Sequence, residues 1–225
     1  NETVIIDIDT VTNGTESGTQ NQTITIVDDD ALPTVTLSAG ATTIEETTGT
    51  TTTPITASLN TPSGLAVTVT LAKTGTAIEN TDYTLGGAIT IPALTTSASI
   101  TLASKTDLLD ELDETVIIDI STVENGTENA TQTRTVTIND DDLPPNVTLT
   151  VGTATINEPI GTTTSTQVIA TLDAPSGLAV TVNLAKSGSA VETSDYTLAS
   201  AIVISAGTTA SSTLISAVED AIDED

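Results

Sequence analysis

The stretch Asp113-Glu-Thr-Val-Ile-Ile-Asp-Ile120 decides how this chain is organised, because it repeats Asn1-Glu-Thr-Val-Ile-Ile-Asp-Ile8 at every position except the first. The two copies are 112 residues apart. A second stretch, Pro62-Ser-Gly-Leu-Ala-Val-Thr-Val69, returns unchanged from Pro175 to Val182 after 113 residues. Self-similarity at a fixed spacing indicates a repeat architecture, and a period of this length is that of one small domain.

Each repeat consists of short runs rich in Val, Ile and Thr that are separated by turn signals. Several runs alternate apolar and polar residues, which is typical of half-buried strands, and no segment has helical periodicity. In the fullest repeat the runs are Val35–Ser38, Ile55–Leu59, Ala66–Ala72, Ala88–Ile91, Ala98–Ala103, Thr115–Ile120 and Thr133–Ile138. The Asn125-Gly126 pair between the last two runs is typical of a hairpin turn. The pattern predicts an all-β fold of tandem Ig-like antiparallel β-sandwiches, about seven strands each, in an extended array.

The phase of the repeat places the domain boundaries inside the chain. Residues 1–30 are predicted to be the closing hairpin of a preceding or neighbouring repeat, and 33–142 a complete sandwich. Residues 145–225 are predicted to be the first five strands of the next repeat, which a further copy of 1–30 would complete. Pro33 and the Pro144-Pro145 pair restrict the backbone between these segments, so we expect stiff joints.

The two ends of the sequence continue one another as if the repeat were unbroken. Asp220-Ala-Ile-Asp-Glu-Asp225 matches Asp107-Leu-Leu-Asp-Glu-Leu112, and Asn1-Glu-Thr-Val4 matches the residues that follow Leu112. We therefore expect the partners of this chain to be identical copies arranged head to tail. Two versions stay open: a longer tandem chain, or a subunit in which 1–30 of one copy completes 145–225 of another by strand complementation.

Composition excludes several classes of function. The 225 residues include 31 acids, four bases and no histidine or cysteine, for a formal net charge of −27. Without His or Cys there is no Ser-His-Asp triad, thiol nucleophile, zinc site or haem ligation. Four bases cannot neutralise a phosphate backbone, so nucleic acid is not an expected partner, and no run of 18 apolar residues supports membrane insertion. Paired carboxylates could serve a glycosidase, but no aromatic sugar platform accompanies them, so we expect no enzymatic activity.

The acidic residues of the complete repeat fall at strand ends and in loops. Alternate loops of a sandwich lie at the same pole, so these acids can gather there. Two unit charges about 4 Å apart repel by roughly 4 kcal/mol at an effective dielectric of 20, so such a cluster is unfavourable without cations. Calcium, which takes about six to eight oxygen ligands, suits it best, and a solvated acidic rim is the alternative. The candidates are Glu46, Asp82, Asp107, Asp110, Glu111, Asp140, Asp141 and Asp142.

These residues also carry a resemblance to a known family. The motifs are Ile44-Glu-Glu-Thr-Thr-Gly-Thr50, the pairs Asp82-Tyr83 and Asp195-Tyr196, the acidic stretch Asp107–Val116, and Thr135-Val-Thr-Ile-Asn-Asp-Asp-Asp142. Together they resemble a Calx-β repeat. That family occurs in the regulatory domains of sodium–calcium exchangers, in an integrin subunit and in many large bacterial surface proteins. The resemblance covers the complete repeat and both partial ones, and it implies a β-sandwich with Ca²⁺ as its cofactor.

The resemblance also implies which residues bind calcium. In the complete repeat they are Glu46, Asp82, Asp107, Asp110 and the triplet Asp140, Asp141 and Asp142. In the last repeat they are Glu158, Asp195, Glu219, Asp220 and Asp223, with Asp28, Asp29 and Asp30 as the triplet that a neighbouring copy supplies. The family's acids just before the turn are Lys105 and Thr106 here, whereas the last repeat keeps Glu219. The repeats are therefore expected to bind different numbers of ions.

These features predict a structural role. We expect a repeat unit of an extracellular fibre, stalk or surface filament, secreted by a bacterium and made rigid by Ca²⁺ at its inter-domain joints. One alternative is an adhesin of a large surface protein, whose surface or glycan ligand would bind through other domains because no aromatic-rich loop is present. A calcium sensor is a weaker alternative, since it would need a coupled membrane or effector segment.

Overall fold

The fold is built from β-strands. The computed structural model describes residues 1–47, 49, 51–158 and 160–219. Every regular element within these ranges is a β-strand, which confirms the predicted all-β class. The sheets form three groups along the chain: a two-stranded hairpin, a pair of five-stranded sheets, and a four-stranded sheet with a two-stranded one. Within the described ranges, no helix has the length and apolar character needed to cross a membrane.

The first group is a hairpin of strands β1 (Glu2–Asp7) and β2 (Asn21–Ile26). The strands are antiparallel, with Glu2 opposite Ile26 and Asp7 opposite Asn21. Every residue of both strands is exposed, including the apolar side chains of Val4, Ile6, Ile24 and Ile26. A two-stranded sheet with no covering layer buries too little apolar surface to be stable alone.

The second group is a sandwich of two five-stranded sheets. Its strands are β3 (Thr34–Ala39), β4 (Thr43–Glu45), β5 (Thr52–Leu59), β6 (Val67–Gly75), β7 (Tyr83–Thr84), β8 (Ala88–Ile91), β9 (Ser97–Ser104), β10 (Glu114–Glu124), β11 (Thr127–Glu128) and β12 (Thr133–Asn139). One sheet has the order β4-β12-β10-β6-β8 and the other β11-β3-β5-β9-β7. The short strands β4 and β11 pair in parallel with β12 and β3, and the other pairs are antiparallel.

The core of this sandwich lies between its two sheets. Alternate residues are buried, as in Val35 and Leu37 of β3, because successive side chains of a strand point to opposite faces. The strands β10 and β12 contribute four core side chains that are at most 1% exposed: Val116, Ile118, Val136 and Ile138. Burying one such side chain stabilises the fold by roughly 1.5–3 kcal/mol. The sandwich prediction is therefore confirmed, with an almost purely aliphatic core.

The third group is a smaller pair of sheets. Its strands are β13 (Val147–Val151), β14 (Ser165–Leu172), β15 (Val180–Asn183), β16 (Tyr196–Leu198), β17 (Ala201–Ile204) and β18 (Ala210–Ala217). The sheet orders are β13-β14-β18-β16 and β15-β17. Among the described residues of this unit, the hydrophobic core has five buried side chains: Val168, Ala170, Leu172, Ile202 and Ile204. In the described part of this unit, no strand corresponds to β4, β10 or β12 of the complete sandwich.

Candidate metal centre

Four segments bring acidic residues to one end of the complete sandwich. They are the end of β4, the loop before β7, the turn between β9 and β10, and the exit of β12. Because β4 runs parallel to β12, the amide of Glu46 donates a hydrogen bond to the carbonyl of Asn139 at 2.9 Å. This bond places Glu46, which is only 8% exposed, beside Asp140 at the exit of β12.

A tight loop holds Asp82. Its Oδ2 atom accepts a hydrogen bond from the amide of Ile78 at 2.5 Å, and its own amide donates to the Ile78 carbonyl at 2.9 Å. Its carbonyl accepts from the amide of Lys105 at 2.8 Å, which links this loop to the segment after β9. The next residue, Tyr83, is 2% exposed and anchors the loop in the core. The carboxylate of Asp82 is therefore fixed in position.

The turn between β9 and β10 brings two further carboxylates to Asp82. Carboxylate oxygens of Asp82, Glu111 and Glu114 lie within 4.8 Å of one another. Asp107 stabilises the turn, since its Oδ1 atom accepts a hydrogen bond from the amide of Leu109 at 2.8 Å. Three negative charges at this spacing repel one another strongly unless a cation or a proton lies between them. This acidic cluster could therefore hold a metal ion.

The acids at this end of the sandwich have raised pKa values, because they are partly buried and lie close to one another. The pKa of Glu46 is raised to about 7, by burial first and then by the charges of Asp107, Asp140, Glu111 and Asp82. The pKa of Glu114 is also raised to about 7, by burial first and then by a hydrogen bond to Asp82. The pKa values of Glu111, Asp140 and Asp142 are raised as well, by burial first and by neighbouring carboxylates.

Two buried oxygens in this region have no hydrogen-bond partner. They are Oδ1 of Asp140 and Oδ2 of Asp142. An ionised carboxylate can only accept hydrogen bonds, and a buried acceptor with no donor is costly. A hard cation such as Ca²⁺ takes oxygen ligands alone, which is the donor set present here. The residues of the acidic end therefore fit a bound metal ion.

The structure places the candidates of the complete sandwich in different roles. The charges of Asp82, Asp107 and Asp140 act on Glu46 at the same end of the sandwich. Asp141 is exposed and acts on Asp142 through its charge. The ammonium of Lys105 donates a hydrogen bond to the carbonyl of Asn80.

Sequence reasoning missed Glu114. It is the first residue of β10, and the resemblance included it in the acidic motif but not among the residues implied to bind calcium. Glu111 was placed at the acidic pole but not among the ligands that the resemblance implies. The signal for both was their position directly after the acidic turn, on the chain that enters β10.

The candidates outside the complete sandwich are not gathered in the same way. Among the described residues, the group of three acids that could hold a metal is the one in the complete sandwich. In the last repeat Glu158 and Asp195 line one cleft, and Glu219 accepts a hydrogen bond from the amide of Gly161 at 3.2 Å. Asp220 and Asp223 lie outside the described residues. The triplet Asp28, Asp29 and Asp30 is exposed at the end of the β1–β2 hairpin.

The acidic turn also contacts the next repeat. The hydroxyl of Ser176 donates a hydrogen bond to Oδ2 of Asp110 at 2.9 Å, and the amide of Gly177 donates to the Asp110 carbonyl at 3.0 Å. Ser176 is 1% exposed as a result. A Cβ atom at Gly177 would lie 2.6 Å from Oε1 of Glu111, so a larger residue here would require the Glu111 side chain to move. The turn that supplies Glu111 to the acidic cluster therefore also forms the joint.

Several solved structures are similar to this chain at low sequence identity. The crystal structure of CBD12 from CALX1.2 is 16% identical, with 78% of this chain and 72% of that chain covered and a TM-score of 0.39. The apo form of the Calx CBD1 domain is 21% identical over 48% of this chain and 99% of that chain, with a TM-score of 0.40. A putative carbohydrate binding protein from Bacteroides ovatus is 11% identical, over 78% of this chain and 58% of that chain, with a TM-score of 0.38. No family model and no curated protein matches the sequence.

Proposed function

We propose that this chain is a structural repeat unit of an extracellular fibre, stalk or surface filament, and that Ca²⁺ makes its inter-domain joints rigid. The main support for the proposal is that the turn between β9 and β10 takes part in both the acidic cluster and the joint. Glu111 contributes a carboxylate to the acidic cluster, and Asp110, its neighbour in the chain, binds Ser176 of the next repeat. An ion that orders this turn would also order the joint.

The residues that would hold the ion follow from the acidic end of the sandwich. Asp82, Glu111 and Glu114 form the centre, and Asp140 and Asp142 each offer a buried oxygen with no other partner. A bound cation supplies positive charge that offsets the repulsion among these acids. Without it, the repulsion pushes the turn away from the loop of Asp82 and loosens the contact with Ser176.

The joint itself supports a role in rigidity. A cavity of about 260 Å³ lies between the two repeats and is lined by residues of both, including Glu111, Glu114, Gly177 and Leu178. The carboxylates of the cluster therefore border the contact surface. The Pro144-Pro145 pair lies in the connection and limits its conformations. The Calx-β resemblance of the motifs agrees with calcium as the ion, and millimolar extracellular calcium is sufficient for sites of this type.

The test is thermal unfolding of the chain in millimolar calcium and in excess chelator. We expect calcium to raise the unfolding midpoint, because a ligand that binds only the folded state stabilises it. The double variant Glu111→Gln with Glu114→Gln should lose most of this rise. Glu124→Gln is the matched control, since it removes one charge from the exposed far end of β10.

The joint needs its own measurement. Small-angle scattering should show a narrower distribution of chain dimensions with calcium than with chelator, in the wild type and in Glu124→Gln but not in the double variant. An equal midpoint in calcium and chelator would refute the metal site. A calcium-dependent midpoint with unchanged scattering would leave a metal-binding module without the proposed effect on the joint.

A further inference from the structure

The last repeat has an open cleft where the complete sandwich has strands. The cleft measures about 540 Å³ and is lined by apolar and polar side chains that include Ile156, Lys186, Tyr196 and Leu198. In the complete sandwich the corresponding residue of Ile156 is Ile44, which lies on β4, pairs with Ile138 of β12 and is 5% exposed. The cleft therefore lies at the place that β10 and β12 fill one repeat earlier.

The strands beside the cleft are shorter than their counterparts in the complete sandwich. The absence of a neighbouring strand explains this difference. In the complete sandwich β6 has nine residues and pairs with β10 along Thr68–Gly75. Its first half, Val67–Thr70, also pairs with β8, whereas its second half, Leu71–Gly75, is paired with β10. The equivalent strand β15 has only four residues and ends at Asn183, so the counterpart of that second half is not a strand. The counterpart of β4, at 155–157, is not a strand either.

A glycine lies where the missing strand would pass close to the backbone. Gly75 has a φ of +122°, and a Cβ atom there would lie 2.0 Å from the Thr115 carbonyl oxygen of β10. Gly188 occupies the same place in the last repeat with a φ of +130°, yet nothing lies within 4 Å of its Cβ position. The backbone of Gly188 thus keeps the conformation that admits a neighbouring strand, without that strand.

The β1–β2 hairpin has the sequence and pairing of the strands that are missing. Glu2 lies opposite Ile26 as Glu114 lies opposite Ile138, and the whole register agrees. The four core side chains of β10 and β12 have these exposed counterparts: Val4 at 45%, Ile6 at 54%, Ile24 at 52% and Ile26 at 54%. The hairpin therefore has an apolar face that no second sheet covers, and the last repeat lacks the two strands that would close its core.

From these observations we infer that the β1–β2 hairpin of one copy of this chain fills the cleft of a second copy and completes its sandwich. This inference deepens the proposed structural function and rests on it for the role of the resulting filament. The register follows from the complete sandwich. In the second copy, β1 runs antiparallel along 184–188, with Val4 opposite Gly188 and Ile6 opposite Lys186. Strand β2 runs parallel along 155–157, with Ile26 opposite Ile156.

A second surface agrees with the same arrangement. Ser176 and Gly177 contact the acidic turn of the repeat before them, whereas their counterparts Ser63 and Gly64 have no such neighbour: Ser63 is half-buried, and nothing lies within 4 Å of the Cβ position of Gly64. The spacing from Asp28 to Pro33 equals that from Asp140 to Pro145. Filling the cleft therefore sets the following sandwich at the same distance from its predecessor as in the joint already present.

The first experiment is sedimentation of the chain over a range of concentrations. We expect oligomers in steps of the 22.7 kDa chain mass, because each copy offers one hairpin and one cleft. Ile6→Asp places a charge on the face that enters the cleft and should leave the chain monomeric. Thr23→Asp is the matched control, because its counterpart Thr135 is exposed in the complete sandwich, and it should assemble like the wild type.

Cross-linking tests the register, and the absence of native cysteine makes it specific. Ile117 lies opposite Thr74, so Ile5 should lie opposite Ser187 of the second copy, within the about 4.5–5.5 Å between facing Cα atoms that a disulfide can span. Mixing the Ile5→Cys chain with the Ser187→Cys chain should give a disulfide-linked dimer. Thr23→Cys with Ser187→Cys should not, because β2 lies one strand further away.

The outcomes separate this inference from the calcium proposal. A chain that stays monomeric at its highest soluble concentration, or oligomers that Ile6→Asp does not affect, would overturn the inference. So would equal cross-linking of the two cysteine pairs. If calcium still raised the unfolding midpoint in such a case, the calcium proposal would stand alone. Oligomers that form equally in chelator would support complementation and leave calcium without a part in assembly.

Discussion

Replacing Glu46 by glutamine should stabilise the calcium-free protein and weaken its response to calcium. Glu46 is 8% exposed and lies among Asp107, Asp140 and Glu111, so its negative charge is unfavourable without a cation. Glutamine keeps the size of the side chain and removes the charge. The same substitution removes one carboxylate from the proposed metal site, so the calcium-bound protein should lose part of its stabilisation.

The magnitude follows from the pKa of Glu46. Burial and neighbouring charges raise this pKa from 4.5 to about 7. One pKa unit corresponds to about 1.4 kcal/mol, so the ionised side chain lowers the free energy of unfolding by up to roughly 3 kcal/mol above pH 7. This is an upper limit, because water and salt screen the exposed carboxylate of Asp107.

The sign of the pH dependence follows from linkage. The carboxyl group of Glu46 binds its proton more tightly in the folded chain than in the unfolded chain. Its contribution is therefore fully present below about pH 4.5 and is lost as the pH rises through about 7. In chelator, the wild type should lose stability over this range, and Glu46→Gln should lose less. Glu114, whose pKa is also raised to about 7, keeps part of the dependence in the variant.

The assay is urea unfolding at several pH values in chelator, followed by tyrosine fluorescence. The chain has two tyrosines, so a Tyr196→Phe background leaves the buried Tyr83 as the reporter of the complete sandwich. Glu45→Gln is the control, because Glu45 is adjacent in sequence but exposed. Equal pH slopes for the wild type and Glu46→Gln would refute the reasoning, as would the same change in Glu45→Gln.

Four further substitutions test the packing. Ser176→Ala should remove the hydrogen bond across the joint, costing about 0.5–1.5 kcal/mol of its stability, and amide hydrogen exchange around the loop should become faster while the sandwich core keeps its protection. Gly75→Ala should prevent stable folding of the complete sandwich, because its Cβ would lie 2.0 Å from the Thr115 carbonyl oxygen; a normal circular dichroism melt would contradict this. Ile118→Ala should lower the free energy of unfolding in urea by about 2–5 kcal/mol, whereas Ile6→Ala should leave that of the dilute monomer unchanged. Equal losses in the two variants would show that the hairpin is packed in the monomer.

Much of the fold could be predicted from local sequence. The strands follow from runs of β-branched residues with a period of two, and the turns from Gly, Pro and Asn residues between them, so both depend on neighbours in the chain. The acidic end was also visible, since Glu46, Asp82 and Asp107 fall at strand ends. The sequence did not show which partner each acidic side chain contacts. Whether Asp110 faces a metal or Ser176 depends on how the next repeat is oriented, which no local pattern encodes.

The sequence by itself determined the repeat, the strand pattern and the residue types at the acidic end, because these depend on spacing along the chain. Only the tertiary structure decided that Glu111 and Glu114 join Asp82, since loops that are distant in sequence set those distances. It also decided burial. Val4 and Val116 lie in almost identical stretches, yet Val4 is 45% exposed and Val116 is fully buried. A strand with an apolar face buries that face only where a second sheet covers it, and that partner lies elsewhere in the chain or in another copy.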